Sequence, residues 1–526
     1  MHELIIVGAG TAGCVLADRL TASGRLRVLL VEAGEKPTTP FVKIPAGFAK
    51  LFKSKVDWSL LSEPEAAAGG RRVFTPRGKM LGGSSNMNAQ IHQWCHPADF
   101  DGWVAAGALG WGWADVAPVL KEQECWLGED GGRARGRGGP MMVSPNRNAH
   151  ALTKRFVEAA REAGLAGEAD YNGGEYEGAW LCQLTHKDGR RFSAYDAYLK
   201  PALRRGNLQV VTGAHAVRIG FEGGRAARVT VRRGASEETY EAARGVVLAA
   251  GAFGSPQLLL LSGIGPASEL TRVGIPVRRD APEVGANLQE HPLFPMVFRT
   301  RGNDTLKNAE SLPNLLRYVF FKRGMLASNA VEAFAFTSVR GGARSAPDLE
   351  LIFAPFEWRN EGLEPPKVHA FSVASIALAP RSRGRVSLAG NDPLAPPRID
   401  FGLLSDPDGV DAAVTIAGIR LARKIVATAP LAQVTAEELH PGEAARSDED
   451  LRAAVSATLQ TVYHPTSTCR MGSDAHAVVD PGLRVAGVDG LWVADASVMP
   501  TVPRGHPNAV VAMIANRAAA MIEREI

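Results

Sequence analysis

Gly8, Gly10 and Gly13 space three glycines as GxGxxG, directly after an apolar run from Glu3 to Val7. They stand directly before Thr11 to Thr21, where Val15, Leu16 and Leu20 fall on one helical face. A second apolar run, Arg27 to Val31, ends in Glu32, nineteen residues after Gly13. Strand, glycine turn, helix and strand make a βαβ unit, which commits this part of the chain to a parallel sheet and the α/β class. The first glycine allows the tight turn and the second lets backbone approach a pyrophosphate. The third lets helix pack on strand, and the helix N-terminus offers unpaired N–H groups to the anion. Glu32 is then placed to accept hydrogen bonds from the adenosine ribose hydroxyls. The motif alone does not separate NAD from FAD.

Fifty-six glycines in 526 residues exceed the ~7% of average usage, and no low-complexity tract accounts for them, which points to backbone approaching a large bound group. At 45% apolar and 22% charged the composition is globular. The formal net charge of +4 is too small and too dispersed for phosphate-backbone binding, so nucleic acid is not an expected partner. The five cysteines, Cys14, Cys95, Cys125, Cys182 and Cys469, are odd in number and form no CxxC pair. Reduced thiols and a cytoplasmic location follow, peripheral to the inner membrane if a quinone is the electron acceptor. The chain enters an apolar strand at Leu4 with no basic segment before it, so no leader is expected. Gly245 to Pro266 lacks charge, but five glycines and Pro256 make it a buried strand, turn and helix and not a membrane span.

Further along, Leu127 to Pro140 is rich in Gly, Arg and Asp and reads as a solvated loop whose arginines face water. Short β-rich runs fill Leu208 to Val231, Gly245 to Ala250 is a fully apolar strand, and Leu491 to Ala494 is another. A final helix is expected from about Asn508 to Glu523. His92, Cys95 and His96 would share a face if helical, but no second ligand cluster completes a metal site and none is expected. No GxSxG nucleophile elbow is present, which argues against a hydrolase.

Two longer blocks are more specific: Gly78-Lys79-Met80-Leu81-Gly82-Gly83-Ser84-Ser85-Asn86-Met87-Asn88 and Gly251 to Gly265, beginning Gly-Ala-Phe-Gly-Ser-Pro-Gln. They resemble the two signatures of the glucose-methanol-choline (GMC) oxidoreductases. Val284 to His291, His464 to Gly472 and Val493 to Pro500 resemble further blocks of the family, so the likeness spans the chain. It implies bound FAD and a mixed α/β fold: a discontinuous Rossmann-like FAD-binding domain with an inserted substrate-binding domain built on an antiparallel sheet. The boundaries expected are 1–150, 203–296 and 460–526 for the FAD domain, and 151–202 and 297–459 for the substrate domain.

Gly82, Gly83, Ser84 and Asn88 bring N–H groups and short polar side chains suited to a pyrophosphate and the flavin edge. With Gly8, Gly10, Gly13 and Glu32, the cofactor contacts expected are Thr11, Ala12, Ala33, Met80, Val217, Ala250, Gly251, Asp495, Ala496 and Asn508. The helix at Asn508 would direct its positive end at the flavin N1 and C2 carbonyl. Met87 stands where some relatives carry a histidine bonded to flavin, so the FAD is expected to be non-covalent.

The resemblance implies oxidation of an alcohol to an aldehyde or ketone, by hydride transfer to flavin N5. His464 matches the family's catalytic histidine, and His506 the position where relatives carry histidine or asparagine. A histidine touching the hydroxyl is the natural acceptor for its proton. A primary alcohol is the expected substrate, aromatic or aliphatic first and choline second, with O2 or a quinone-type acceptor; oligomeric state is open. Phe334, Phe336, Phe353, Phe356 and Trp358 could wall an apolar pocket or form ordinary core. Glu332, in a segment resembling one where choline-oxidising relatives place a carboxylate, could face a quaternary ammonium. Hydroxynitrile lyases and light-driven decarboxylases share this fold and stay open as alternatives.

Overall fold

The computed structural model describes residues 2–129, 135–167, 170–174, 176–341 and 346–526. The first sheet has a parallel centre in the order Leu208–Val211, Val28–Val31, His2–Val7, Ser236–Leu248, Leu491–Val493. The helices Thr11–Thr21, Gly251–Leu261 and Asn508–Glu525 share its core. Strands covered on both faces have no polar alternation, which is why runs such as Val28-Leu29-Leu30-Val31 are apolar throughout and wholly buried. Ser236–Leu248 begins nine residues before the expected Gly245, because its first half is half-exposed. That half pairs antiparallel with Arg225–Arg233, and polar residues there hid the strand from an apolar-run reading.

The chain leaves the five parallel strands at Gly8, Glu32, Thr212, Ala249 and Ala494. Loops at the carboxyl ends of parallel strands are where open α/β sheets bind ligands. All five exits deliver residues to one cavity.

The second sheet is antiparallel in the order Thr435–His440, Pro292–Thr300, Ala370–Ala377, Leu349–Ala354, Ala333–Thr337, Gly178–Leu181. Its residues alternate between two apolar tasks. Phe294, Met296, Leu351, Phe353, Phe371 and Val373 pack into a core shared with the helices Ala151–Glu162 and Val410–Val426. Leu293, Pro295, Ile352, Ala354, Ser372 and Ala374 take the other face and wall the cavity. A short strand, Gln460–Thr461, pairs with Pro292 and Leu293 and brings the chain back from the far side of this sheet.

Of the loop expected from Leu127 to Pro140, residues 130–134 lie outside the described residues. Arg135 corrects the expectation of solvated arginines. It is buried, forks onto Glu124 with both N–O distances 2.7 Å, and stacks over Trp94 and Trp126. His92 approaches the same Glu124 carboxylate at 3.1 Å, and His96 caps the helix Pro97–Ala105. Residues 91–96 are not helical, so His92, Cys95 and His96 do not share a helix face. No helix among the described residues is long and apolar enough to cross a membrane.

Candidate active site

A cavity of about 440 Å³ runs from the Gly8 turn to His464 and His506. Two glycine turns distant in sequence touch at its cofactor end. A Cβ on Gly83 would stand 2.7 Å from the Gly10 Cα, so only glycine permits this approach. A Cβ on Gly10 would meet nothing within 4 Å and would project into open space, leaving an open cradle at the start of the helix Thr11–Thr21. Thr11 Oγ1 donates to Asn508 Oδ1 at 2.8 Å, which holds two helix N-termini side by side at this wall.

Glu32 is buried, and its two oxygens accept from Ala9 N at 2.7 Å and Gly34 N at 2.8 Å. Burial pushes its carboxyl upward, against the pull of those two N–H groups. Two of about four lone-pair positions stay free to face a ribose diol. The open cradle, paired helix ends and half-used carboxylate fit an adenine dinucleotide.

Gly8, Thr11, Ala12, Ala33, Ser84, Asn88, Ala250, Gly251, Asp495, Ala496 and Asn508 also line the cavity. Gly13, Met80, Gly82 and Val217 do not. Gly13 packs under the Gly8 carbonyl, and Gly82 against the Asn86 side chain. Met80 and Val217 are buried, and Ala214, His215 and Ala216 take the wall expected of Val217. Asp495, expected as a cofactor contact, lines the wall and also ties the site together. Its oxygens accept from Gly251 N, Ser255 Oγ, Ser497 N and Ser497 Oγ at 2.6 to 2.8 Å, so the carboxylate is fully used tying two loops together.

At the far end the rings of His464 and His506 lie edge to face, centroids 5.0 Å apart. Two further residues fix the proton on His464. The His291 Nε2 lies 3.1 Å from the Leu378 carbonyl, which can only accept, so Nε2 carries the hydrogen. Burial, followed by the charge of His506, lowers the His291 pKa to about 3, and the ring is neutral with a bare Nδ1. That Nδ1 is 3.1 Å from His464 Nδ1, which must donate. The remaining nitrogen of His464, Nε2, therefore holds an open lone pair. Burial, with His506, His291 and Arg77 nearby, keeps the His464 pKa well below the ordinary histidine value, so the ring stays neutral.

Sequence reasoning missed this supporting layer. Glu290 Oε1 accepts from His464 N at 2.7 Å and His291 N at 2.9 Å, while Oε2 has no partner among the described residues. Burial raises the Glu290 pKa to about 8, so it is protonated at neutral pH. Glu350, on the cavity side of its strand with Ile352, meets His506 Nε2 at 3.0 Å. Gln93 Oε1 accepts from His506 N; Gly505, at φ +114°, makes room, since a Cβ there would lie 2.0 Å from that oxygen. Arg191 is buried and bonds Ser85 O and Asn88 Oδ1, bracing the second glycine loop. One signal was visible for Glu350: a carboxylate inside the apolar run Leu349 to Ala354 requires a buried partner.

Glu332 shows the same signal with a different answer. Its carboxylate accepts from Ser328 Oγ, His150 N and Thr153 Oγ1 at the N-terminus of the helix Ala151–Glu162, and it does not line the cavity. Held by these three donors, it is not available to a quaternary ammonium in the cavity. Of the five aromatic residues proposed as a wall, only Trp358 lines the cavity; Phe334, Phe336, Phe353 and Phe356 are packed in the apolar clusters.

Comparison with known proteins agrees with this architecture. Models of the GMC oxidoreductase N- and C-terminal regions match residues 2–293 and 380–515. An alcohol dehydrogenase [acceptor] of Pseudomonas putida is 37% identical over 100% of this chain and 96% of its own. An oxygen-dependent choline dehydrogenase of Sinorhizobium fredii is 40% identical over 98% and 94%. The crystal structure of a pyridoxine 4-oxidase superposes with a TM-score of 0.91 at 32% identity, covering 100% of this chain and 99% of that one. Matched from end to end, with its glycine cradle and histidine pair on one cavity, this chain belongs to the GMC oxidoreductases, an FAD-dependent family.

Proposed function

We propose that this protein oxidises a primary alcohol to the aldehyde, with His464 as the base and His506 as the second hydroxyl contact. The observation that carries the reading is the fixed lone pair on His464 Nε2, in the same cavity as the dinucleotide cradle. A neutral imidazole whose other nitrogen is already bonded has one site to accept the hydroxyl proton. Bound FAD supplies the two-electron acceptor that takes the hydride from the carbinol carbon. His506, carried against Glu350, hydrogen-bonds the substrate oxygen. The Asn508 helix end faces the same cavity and stabilises negative charge there. Met87 lines the wall with a thioether that forms no flavin link, in keeping with a non-covalent cofactor.

A neutral aromatic or aliphatic alcohol is favoured over choline. Among the described residues, the acidic side chains of the wall are Glu32 and Asp495, both at the cofactor end. Leu293, Val331, Ile352 and Trp358 offer apolar surface at the other. Choline is the second reading, supported by the 40% identity to a choline dehydrogenase. Electrons pass on to O2 or a quinone-type acceptor, and peroxide appearing in step with aldehyde identifies the first. We also place the domain division at the antiparallel sheet: Pro292–Thr300 runs unbroken across residues 296 and 297, so the inserted unit begins before Pro292.

The test is an anaerobic stopped-flow screen of flavin bleaching, in the dark, with benzylic, furanic, aliphatic, sugar and choline alcohols. Bleaching by neutral primary alcohols is expected. Bleaching by choline alone reverses the ranking, and bleaching by none favours a lyase or a light-driven decarboxylase.

A further inference from the structure

The helix Leu312–Phe321 turns its apolar side outward. Leu312, Leu315, Leu316, Val319, Phe320 and Phe321 are 43% to 72% exposed, and only Tyr318 is buried. These six are a large share of the fourteen exposed large hydrophobics among the described residues, so the apolar surface is concentrated and not scattered. Positions 312, 315, 316, 319 and 320 fall on one face at helical spacing. A contiguous patch of this kind on a soluble fold marks a surface that meets something apolar.

The rim of the patch is cationic. Arg317 and Arg323 are exposed at the helix and just after it, and Lys187 and Arg190 on a neighbouring hairpin. The hairpin tip touches the helix end: a Cβ on Gly189 would lie 2.0 Å from the Lys322 carbonyl. None of these four cations has an ion-pair partner among the described residues. Asp188 shares the hairpin, while Glu310, near the helix N-terminus, is paired with Lys50 at 2.9 Å. Lys322 folds back onto the Tyr318 and Val319 carbonyls and closes the helix.

We propose that this face seats the protein on an anionic phospholipid bilayer, the helix lying in the interfacial plane with its aromatic end immersed and its cations among the headgroups. An amphipathic helix with bulky apolar residues on one side and Lys and Arg at its edge binds membranes in this way. A second copy of this chain is the poorer occupant, because a symmetric contact would bring one basic rim against another. The patch is also close to the cavity. Met325, in the turn after the helix, packs both against the cluster under the helix and against the one containing Phe48, Phe52 and Trp358, which wall the cavity.

Co-sedimentation of the holoenzyme with phosphatidylcholine vesicles, with or without phosphatidylglycerol, tests it. Wild type is expected to pellet with the phosphatidylglycerol vesicles and to be released by 1 M salt, where the screening length falls to about 3 Å. Phe320→Ser/Phe321→Ser and Arg317→Gln/Arg323→Gln are each expected to lower the bound fraction about tenfold, with flavin absorbance and reduction rate unchanged. If the phenylalanine variant loses its flavin, the arginine variant decides alone. Wild type that stays in the supernatant overturns the proposal. So does a dimer in sedimentation velocity that the phenylalanine variant converts to monomer without any vesicle binding.

Discussion

The two ends of the cavity are held by different means. At the cofactor end, polar groups already have partners that fix them in place: Asp495 accepts from four donors, Glu32 from two N–H groups with half its lone pairs left for a ligand, and glycine turns form part of the wall. At the histidine end, ionisable groups are buried and short of partners. Glu290 has a bare oxygen and a raised pKa, and His291 and His464 are both pushed far down. A rigid, satisfied frame suits retention of a large ligand. Perturbed groups around one open lone pair suit proton transfer, and that is where displaced pKa values gather. Changes at one end should therefore alter occupancy, and changes at the other should alter rate and pH response.

The sharpest break of this contrast is Gly83→Val. With a Cβ 2.7 Å from Gly10, the two glycine turns cannot close, and the purified variant is expected to lack bound flavin by visible absorbance. A yellow variant would show that the cradle is not the binding element. His464→Ala should do the reverse, keeping flavin but slowing anaerobic bleaching by roughly 10²-fold, the size of a general-base contribution. Bleaching at the wild-type rate would remove His464 from the chemistry.

Glu290→Gln probes the buried carboxyl. A group whose folded pKa is raised, here to about 8, contributes stability that is full below its unfolded value near 4.5 and is lost as pH climbs through 8. Wild type should lose thermal stability between pH 5 and 8 more steeply than the glutamine variant. Parallel curves would mean that Glu290 does not titrate there.

His506→Asn is the mildest. Partial activity should remain, since relatives are expected to work with asparagine. The charge of His506 is also among the causes that hold His464 down, so the acid limb of the bleaching rate should move up towards 6.5. An unmoved limb would show that the two rings are electrostatically independent.

The frame was the part readable from sequence, because each of its pieces is local. Gly8 to Gly13 and Glu32 sit beside the strands and turn that aim them, so spacing reveals the turn, while Gly82 and Gly83 stand in a contiguous block that resembles a family signature. The supporting layer is not local. Glu350 and Gln93 meet His506 across 156 and 413 residues, and nothing near either one announces the pairing. Glu332 and Glu350 look alike as carboxylates in apolar runs, yet one caps a helix and the other bonds His506 behind the cavity wall. Only the packing of the antiparallel sheet separates them. Val217 lies at a register shift between Ala216 and Arg218, with its side chain buried beside the wall formed by Ala214, His215 and Ala216.

The ladder of Pro292 and Leu293 with Thr461 and Gln460 clamps the two ends of a long excursion beside each other. His291 and His464 flank that clamp, so their spacing is a matter of strand register and owes nothing to the length of chain between them. The one bond to His291 from inside the excursion comes from a main-chain carbonyl, at Leu378, which any residue can provide. The excursion is thus exchangeable when Gly178–Leu181 and the helix Ala151–Glu162, which complete its sheet and core from outside it, travel with it. Recombination points placed just outside the ladder would swap the pocket wall of one relative for that of another while the proton-accepting pair travels intact, provided a partner for His506 comes with the new wall.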